Sequence, residues 1–257
     1  MKRNALLILT IFLLAPLLPF AEPSDILKEV RAQNQTNGFY LGELVDSTPS
    51  VIKSGDSFSC SLSNNEIRCW GNAGAGQLGI GTLTSQNTPQ MVSTGIGKFA
   101  TDISLGEAHA CALLNDGSVS CWGTGQFGRL GEGTGDNKQS PSPVNFYNNL
   151  GGNITAIAVE SGNVHSCAIL NPGNISCWGR GYDGALGLGN GDHQDKYFPQ
   201  RSPNLGVGRT ATSLSLGNWF TCAILDDGNV SCWGDNGYGK LGNGGTTDSD
   251  TPTQTSG

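Results

Sequence analysis

Eight cysteines and three histidines are the residues of this 257-residue chain best equipped for chemistry. The cysteines fall into pairs: Cys60 and Cys69, Cys111 and Cys121, Cys167 and Cys177, Cys222 and Cys232. Partners lie eight or nine residues apart, whereas zinc-binding cysteines usually stand two to four apart, so the spacing argues against metal. An even count suits disulfides, with eight buried free thiols as the competing reading. His109 and His165 each stand two residues before the first cysteine of a pair, where the other copies have Phe58 and Phe220. A place that accepts either ring reads as packing rather than catalysis. His193 lies alone in a polar stretch. The acidic stretches 191–195 and 245–250 lack the regular oxygen spacing and bidentate end of a calcium loop, and read as solvated loops. No Ser-His-Asp order, phosphate loop or paired catalytic carboxylate stands out, so neither a catalytic residue nor a cofactor is expected.

The elements that position the cysteines are repeated four times. Each pair closes on a Cys-Trp-Gly triplet, with Trp70, Trp122, Trp178 and Trp233 spaced by 52, 56 and 55 residues. That period is the signature of a repeat architecture. In the second copy, Leu113 and Leu114 lead into Asn115-Asp116-Gly117, and Val119 leads out, which predicts a hairpin. A three-residue loop with Gly117 left-handed pairs Leu114 with Ser118 and sets Cys111 opposite Cys121. The first copy is one residue shorter. A two-residue turn at Asn64-Asn65 restores the opposition of Cys60 and Cys69. Pro172 demands a different turn in the third copy. Opposed strand residues approach to about 4.5–5.5 Å between Cβ atoms, a small adjustment from disulfide geometry. The register therefore favours four cystines, one per hairpin, each stabilising by about 2–3 kcal/mol.

Other features keep the same beat. Gly55, Gly106, Gly162 and Gly217 precede the first cysteines, and apolar alternation precedes them. Gly76, Gly128, Gly184 and Gly239 follow the tryptophans, then Leu78, Leu130, Leu186 and Leu241, then Pro89, Pro141, Pro199 and Pro252. Each repeat reads as strand, turn, strand, tight turn, strand, glycine loop, and a short strand after the proline. The fold class is all-β, a propeller of four blades of short antiparallel strands, open or incomplete. Repeats span about 51–99, 100–153, 154–209 and 210–257. Since Pro252 lies close to Gly257, the last strand of the fourth blade is expected to be missing or stunted.

Met1–Ala21 has a basic start and an apolar run from Ala5 to Phe20, the pattern of a secretory signal. The run is short for a membrane span, so membrane attachment is expected only if it stays uncleaved. Residues 22–50 read as a linker. The net charge of −7 becomes −9 once Lys2 and Arg3 leave with the signal, which disfavours nucleic-acid binding. A secreted or extracytoplasmic location follows. Asn34, Asn153, Asn174 and Asn229 lie in glycosylation sequons.

The Cys-Ala-Leu, Asp-Gly, Val-x-Cys-Trp-Gly and Gly-x-Leu-Gly elements over residues 51–257 resemble the regulator of chromosome condensation repeat, Gly76–Gly79 most closely. The resemblance implies the blades of a seven-bladed propeller, of which four copies are present here. The family includes exchange factors for the GTPase Ran and a secreted bacterial β-lactamase inhibitor. The four triplet tryptophans then pack blades, while Phe127, Tyr182, Trp219 and Tyr238 decorate a loop surface. The expected function is extracellular binding of a protein or glycan, without catalysis. The alternatives are a hydrolase or lyase with a site in the central channel and, by family analogy only, a guanine-nucleotide exchange factor.

Overall fold

A computed structural model describes residues 50–146, 150, 154–201 and 205–256. The signal-like segment, the linker up to residue 49, Asn34 and Asn153 therefore lie outside the described residues. Four separate antiparallel sheets of four strands follow one another in the chain. Blade 1 comprises β1 (Val51–Ser54), β2 (Phe58–Ser63), β3 (Glu66–Gly71) and β4 (Gln86–Val92). Blade 2 comprises β5 (Ala100–Leu105), β6 (His109–Leu114), β7 (Val119–Gly123) and β8 (Lys138–Pro143). Blade 3 comprises β9 (Ala156–Ser161), β10 (His165–Leu170), β11 (Asn174–Gly179) and β12 (Lys196–Arg201). Blade 4 comprises β13 (Ala211–Leu216), β14 (Phe220–Leu225), β15 (Val230–Gly234) and β16 (Ser249–Gln254). Inner strands pack in series, β1 on β5, β5 on β9 and β9 on β13, and among the described residues no sheet closes on itself.

The hairpins have the register that the cysteines require. Gly117 is left-handed at φ +77°, and the Leu114 amide donates to the Ser118 carbonyl. In blade 1, Asn64 and Asn65 both have positive φ, which turns the chain in two residues and opposes Ser63 to Glu66. In blade 3 the turn holds a cis Asn171–Pro172 bond, and Leu170 still opposes Asn174. Cys60–Cys69, Cys111–Cys121, Cys167–Cys177 and Cys222–Cys232 each join directly opposed residues, with Cα atoms 4.1 Å apart.

The proline position departs from expectation. Pro89, Pro141, Pro199 and Pro252 lie inside the fourth strands rather than ahead of them. A fourth strand is the outer edge of its blade, where a missing N–H breaks no ladder, so proline is tolerated within it. The fourth strand of blade 4 is accordingly not stunted. β16 runs for six residues across Pro252.

The hydrophobic cores lie between blades rather than within them. Cys111, Leu113, Val119 and Cys121 of blade 2 meet Ala156, Val159, Ala168, Leu170 and Trp178 of blade 3, and equivalent clusters join blades 1 to 2 and 3 to 4. The free faces show what a neighbour supplies. Ile224 of blade 4 is 45% exposed, whereas its counterpart Ile169, covered by blade 4, is 1% exposed. On the free face of blade 1, Ser59, Ser61 and Ser63 occupy the places of Ala110, Ala112 and Leu114 in blade 2.

Candidate functional site

Within a blade, the first and third strands run in the same direction. The turn after the first strand and the long loop after the third therefore share one end of the sheet. All four axial turns and all four glycine loops consequently open on one face.

The glycine loops begin at a bulge in the third strand. The register shifts between the cysteine and the glycine of each triplet, and the glycine takes φ between +101° and +110°. A Cβ on Gly123 would meet the Ala108 carbonyl at 2.5 Å, so only glycine serves. Short 3-10 turns follow at Gln126–Gly128, Tyr182–Gly184 and Gly237–Gly239. Their middle residues, Phe127, Asp183 and Tyr238, are non-glycine residues at φ +54° to +67°. Left-handed backbone at an aromatic residue costs energy that surrounding structure must hold, a pattern frequent at recognition sites.

The first three loops then lock onto the next blade. The Gly81, Gly133 and Gly189 amides donate to the Gln139, Tyr197 and Asp250 carbonyls of the following fourth strand. Trp122 and Trp178 reach back and donate through Nε1 to the Gln77 and Arg129 carbonyls, at 3.0 and 2.9 Å. Trp233 is equally buried, but its Nε1 has no partner. Trp70 lies at the free face of blade 1 and is partly exposed, so it does not pack between blades as the other three do.

The structure brings Phe127 and Tyr182 together from adjacent blades. The guanidinium of Arg180 lies 4.8 Å from the Phe127 ring centre and 5.2 Å from that of Tyr182. Arg129 flanks Phe127 at 5.5 Å. Tyr182 is half exposed and Tyr238 fully exposed. Trp219 sits half-buried in the axial turn of blade 4, where its carbonyl accepts from the Asp235 amide. Neither Trp219 nor Tyr238 joins the Arg180 cluster. Arg180 went unnoticed in the sequence because its role exists only across the blade boundary.

The histidines are interblade rivets. His109 Nε2 lies 2.9 Å from Ser166 Oγ, and His165 Nε2 lies 2.8 Å from Thr221 Oγ1. Each hydroxyl spends its proton on a carbonyl, of Arg129 and Ala185 respectively, so each imidazole donates from Nε2. Their Nδ1 atoms are buried without partners. Burial therefore holds His165 down at about 4, helped by Arg129, and holds His109 well below its ordinary value, helped by Arg129 and His165. A serine beside a histidine suggests a nucleophile and base, but this hydroxyl points its proton away and neither ring is exposed to substrate. A sequence signal was present: the paired residue ahead of the next cysteine is Ala110 after Phe58, Ser166 after His109 and Thr221 after His165.

In the acidic loops, carboxylates cap the chain itself. Asp250 accepts from the Gly191 amide, Asp248 from the Asn236 amide, and Asp192 from Lys196. Among the described residues no cluster of His, Cys, Asp and Glu is suited to a metal ion. Asn174 and Asn229 are exposed at the opposite face, beside the hairpin turns.

The axial turns meet edge to edge. A Cβ on Gly55, Gly106 or Gly162 would lie 2.6, 2.2 or 2.6 Å from the carbonyl of Gly106, Gly162 or Gly217 in the next blade. Together they frame an open depression of about 360 Å3, lined by Asp56, Leu105, Glu107, Asn163 and Leu216 among others.

Comparison with known proteins gives the following. The chain matches the Regulator of chromosome condensation (RCC1) repeat over residues 66–113, 116–169 and 172–224, and again over 100–129 and 211–240. The "Ultraviolet-B receptor UVR8" of Arabidopsis thaliana is 34% identical over 200 residues, 77% of this chain and 44% of the receptor. The "E3 ubiquitin-protein ligase HERC2" of Homo sapiens is 34% identical over 205 residues, 79% of this chain and 4% of the ligase. The chain thus spans less than half the length of these relatives. Human WBSCR16 superposes with a TM-score of 0.72 at 20% identity, covering 81% of this chain and 53% of that one. Prp20p from Saccharomyces cerevisiae, described with its "Binding Properties to Gsp1p and Histones", superposes with a TM-score of 0.66 at 20% identity, covering 80% and 50%.

Proposed function

The chain belongs to the Regulator of chromosome condensation (RCC1) repeat family, and on that premise we propose that it is a secreted protein-binding module, without a catalytic step of its own. The observation that carries this reading is the Phe127–Arg180–Tyr182 stack on the face of the glycine loops. Tyr and Arg are among the residues most often found at the energetic centre of protein interfaces. Here the Arg is already held between two rings, so docking orders little that is not already ordered. The propeller supplies rigid blades, and interblade hydrogen bonds fix the loops that carry the stack. Export is supported by the signal-like composition of Met1–Ala21 and by the pairing of all eight cysteines in disulfides. The binding of Prp20p to Gsp1p and histones supports protein binding for this architecture, through that protein's partners rather than this chain's.

The test is affinity capture from the extracellular fraction with the exported chain and with a variant carrying Phe127→Ala, Arg180→Ala and Tyr182→Ala. A partner retained by the former and lost from the latter is expected. Retention by both would overturn the site. A glycan array responding where no protein is captured would overturn the choice of ligand.

A further inference from the structure

Cations of this chain usually hold a carboxylate of their own. Among the described residues Arg68, Lys98, Lys138, Lys196, Arg209 and Lys240 each do so. Arg180 does not. Phe127 and Tyr182 hold its guanidinium at 4.8 and 5.2 Å. Rings attract a guanidinium by its charge and leave its forked N–H donors to find acceptors elsewhere. Among the described residues no oxygen takes them. Nor are they sealed in: Arg180 is partly exposed, and the buried side-chain atoms without a partner belong to His109, Ser161, Asn163, His165 and Trp233. The Arg180 donors therefore face solvent.

Phe127 carries a second guanidinium. Arg129 lies 5.5 Å from its ring centre, is 3% exposed, and donates to the Gln126 and Asn163 carbonyls. A ligand does not touch Arg129, but its charge reaches the site. Burial lowers the Arg129 pKa, Glu107 opposes the shift and Arg180 adds to it. Two like charges thus flank one ring, and an anion at Arg180 relieves their repulsion. Asp183, one residue beyond Tyr182, does not supply that anion, since it forms no ion pair with Arg180. Its pKa is raised by burial, then by Asp248 and Asp235, with His193 and Arg180 opposing. These neighbouring acids repel a phosphate more than a single carboxylate, because a phosphate carries more charge.

We propose that Arg180 receives one Asp or Glu side chain of the bound protein, its forked N–H groups donating to the carboxylate oxygens. Phe127 and Tyr182 hold the fork in place and give the adjoining part of the partner an aromatic surface. The inference rests on the reading of this face as a protein-binding surface, and names the residue class that surface selects.

The probes are phage-displayed random dodecapeptides, selected on the exported chain and sorted by their loss of binding to Arg180→Gln. The peptides lost should share an Asp or Glu at one aligned position. In a synthetic peptide so selected, converting that residue to its amide should weaken binding about ten-fold, the loss expected of a charge-assisted contact. Arg180→Lys keeps the charge without the fork, and should weaken binding less than Arg180→Gln. Arg180→Glu should lose the peptide and regain a form in which the acidic residue is replaced by arginine. That rescue reads the contact whatever the single variants do to stability. Selected peptides with no shared acidic position, binding that survives Arg180→Gln, tighter binding when phosphoserine replaces the acidic residue, or no selected peptide at all would each overturn the proposal. Peptides that need Phe127 and Tyr182 but carry no acidic residue would overturn it and leave the functional reading standing. Full capture of the partner by the chain lacking Phe127, Arg180 and Tyr182 side chains would instead strike the functional reading.

Discussion

Gly131→Ala and Gly191→Ala place the same methyl group on nearly the same backbone, at φ +69° and +68°. Both incur the cost of left-handed backbone, about 1 kcal/mol. Around Gly191 nothing lies within 4 Å of the added carbon, whereas at Gly131 it would lie 2.7 Å from Trp178 Nε1. Trp178 has little room to yield. Its Nε1 holds the Arg129 carbonyl, and its ring meets the edge of Phe146 with centres 5.8 Å apart. Overpacking of this kind costs about 1–3 kcal/mol more. Gly131→Ala should therefore lose about 2–4 kcal/mol and Gly191→Ala about 1 kcal/mol. Urea unfolding followed by tryptophan fluorescence resolves the difference, and the larger loss should lower the melting temperature by about 4–16 °C. Equal losses would refute the argument that glycine loops are joints between blades, since only that joint distinguishes the two sites.

Protonation should loosen the interblade rivets. His165 titrates near 4 folded and near 6.5 unfolded, so its contribution is complete above the unfolded value and is lost as pH falls from 6.5 toward 4. Stability should drop by about 1.4 kcal/mol per pH unit from this group across the lower part of that window, and His165→Phe should reduce the slope of urea midpoint against pH. His109→Phe should destabilise by leaving the buried Ser166 oxygen without its donor, and Ser166→Ala in the same chain should recover part of the loss by recreating the Phe58–Ala110 pair. A double-mutant cycle with no coupling would remove the pairing argument. Replacing Cys111 and Cys121 with serine should cost about 2–3 kcal/mol and leave the other three cystines intact on non-reducing peptide mapping. Mapping that finds bridges between different repeats would contradict the hairpin register.

Local geometry was legible in the sequence and cross-blade geometry was not. The period of the Cys-Trp-Gly triplets and the one-residue shortening at Asn64-Asn65 suffice to derive the hairpins and the opposition of the cysteines, because both depend on a dozen neighbouring residues. The role of the prolines was misplaced, since a proline is excluded from a central strand but not from an outer one, and sequence alone does not say which strand is outer. The aromatic residues at 127, 182, 219 and 238 could be named as candidates. That two of them share Arg180 depends on how blade 2 meets blade 3. The histidines were read as packing residues, and their hydroxyl partners sit a full repeat away.

The central claim, that the face of the glycine loops and axial turns is the binding face, is tested most directly by comparing substitutions on the two ends of the blades. One chain carries Phe127→Ala, Arg180→Ala and Tyr182→Ala. The other carries Asn115→Ala, Asp116→Ala and Asp227→Ala at the hairpin turns of the opposite end. Affinity of each for the partner captured from the extracellular fraction should fall at least about ten-fold for the first, as expected for central interface residues, and stay unchanged for the second. Loss confined to the hairpin variant, with full binding by the loop-face variant, would contradict the account.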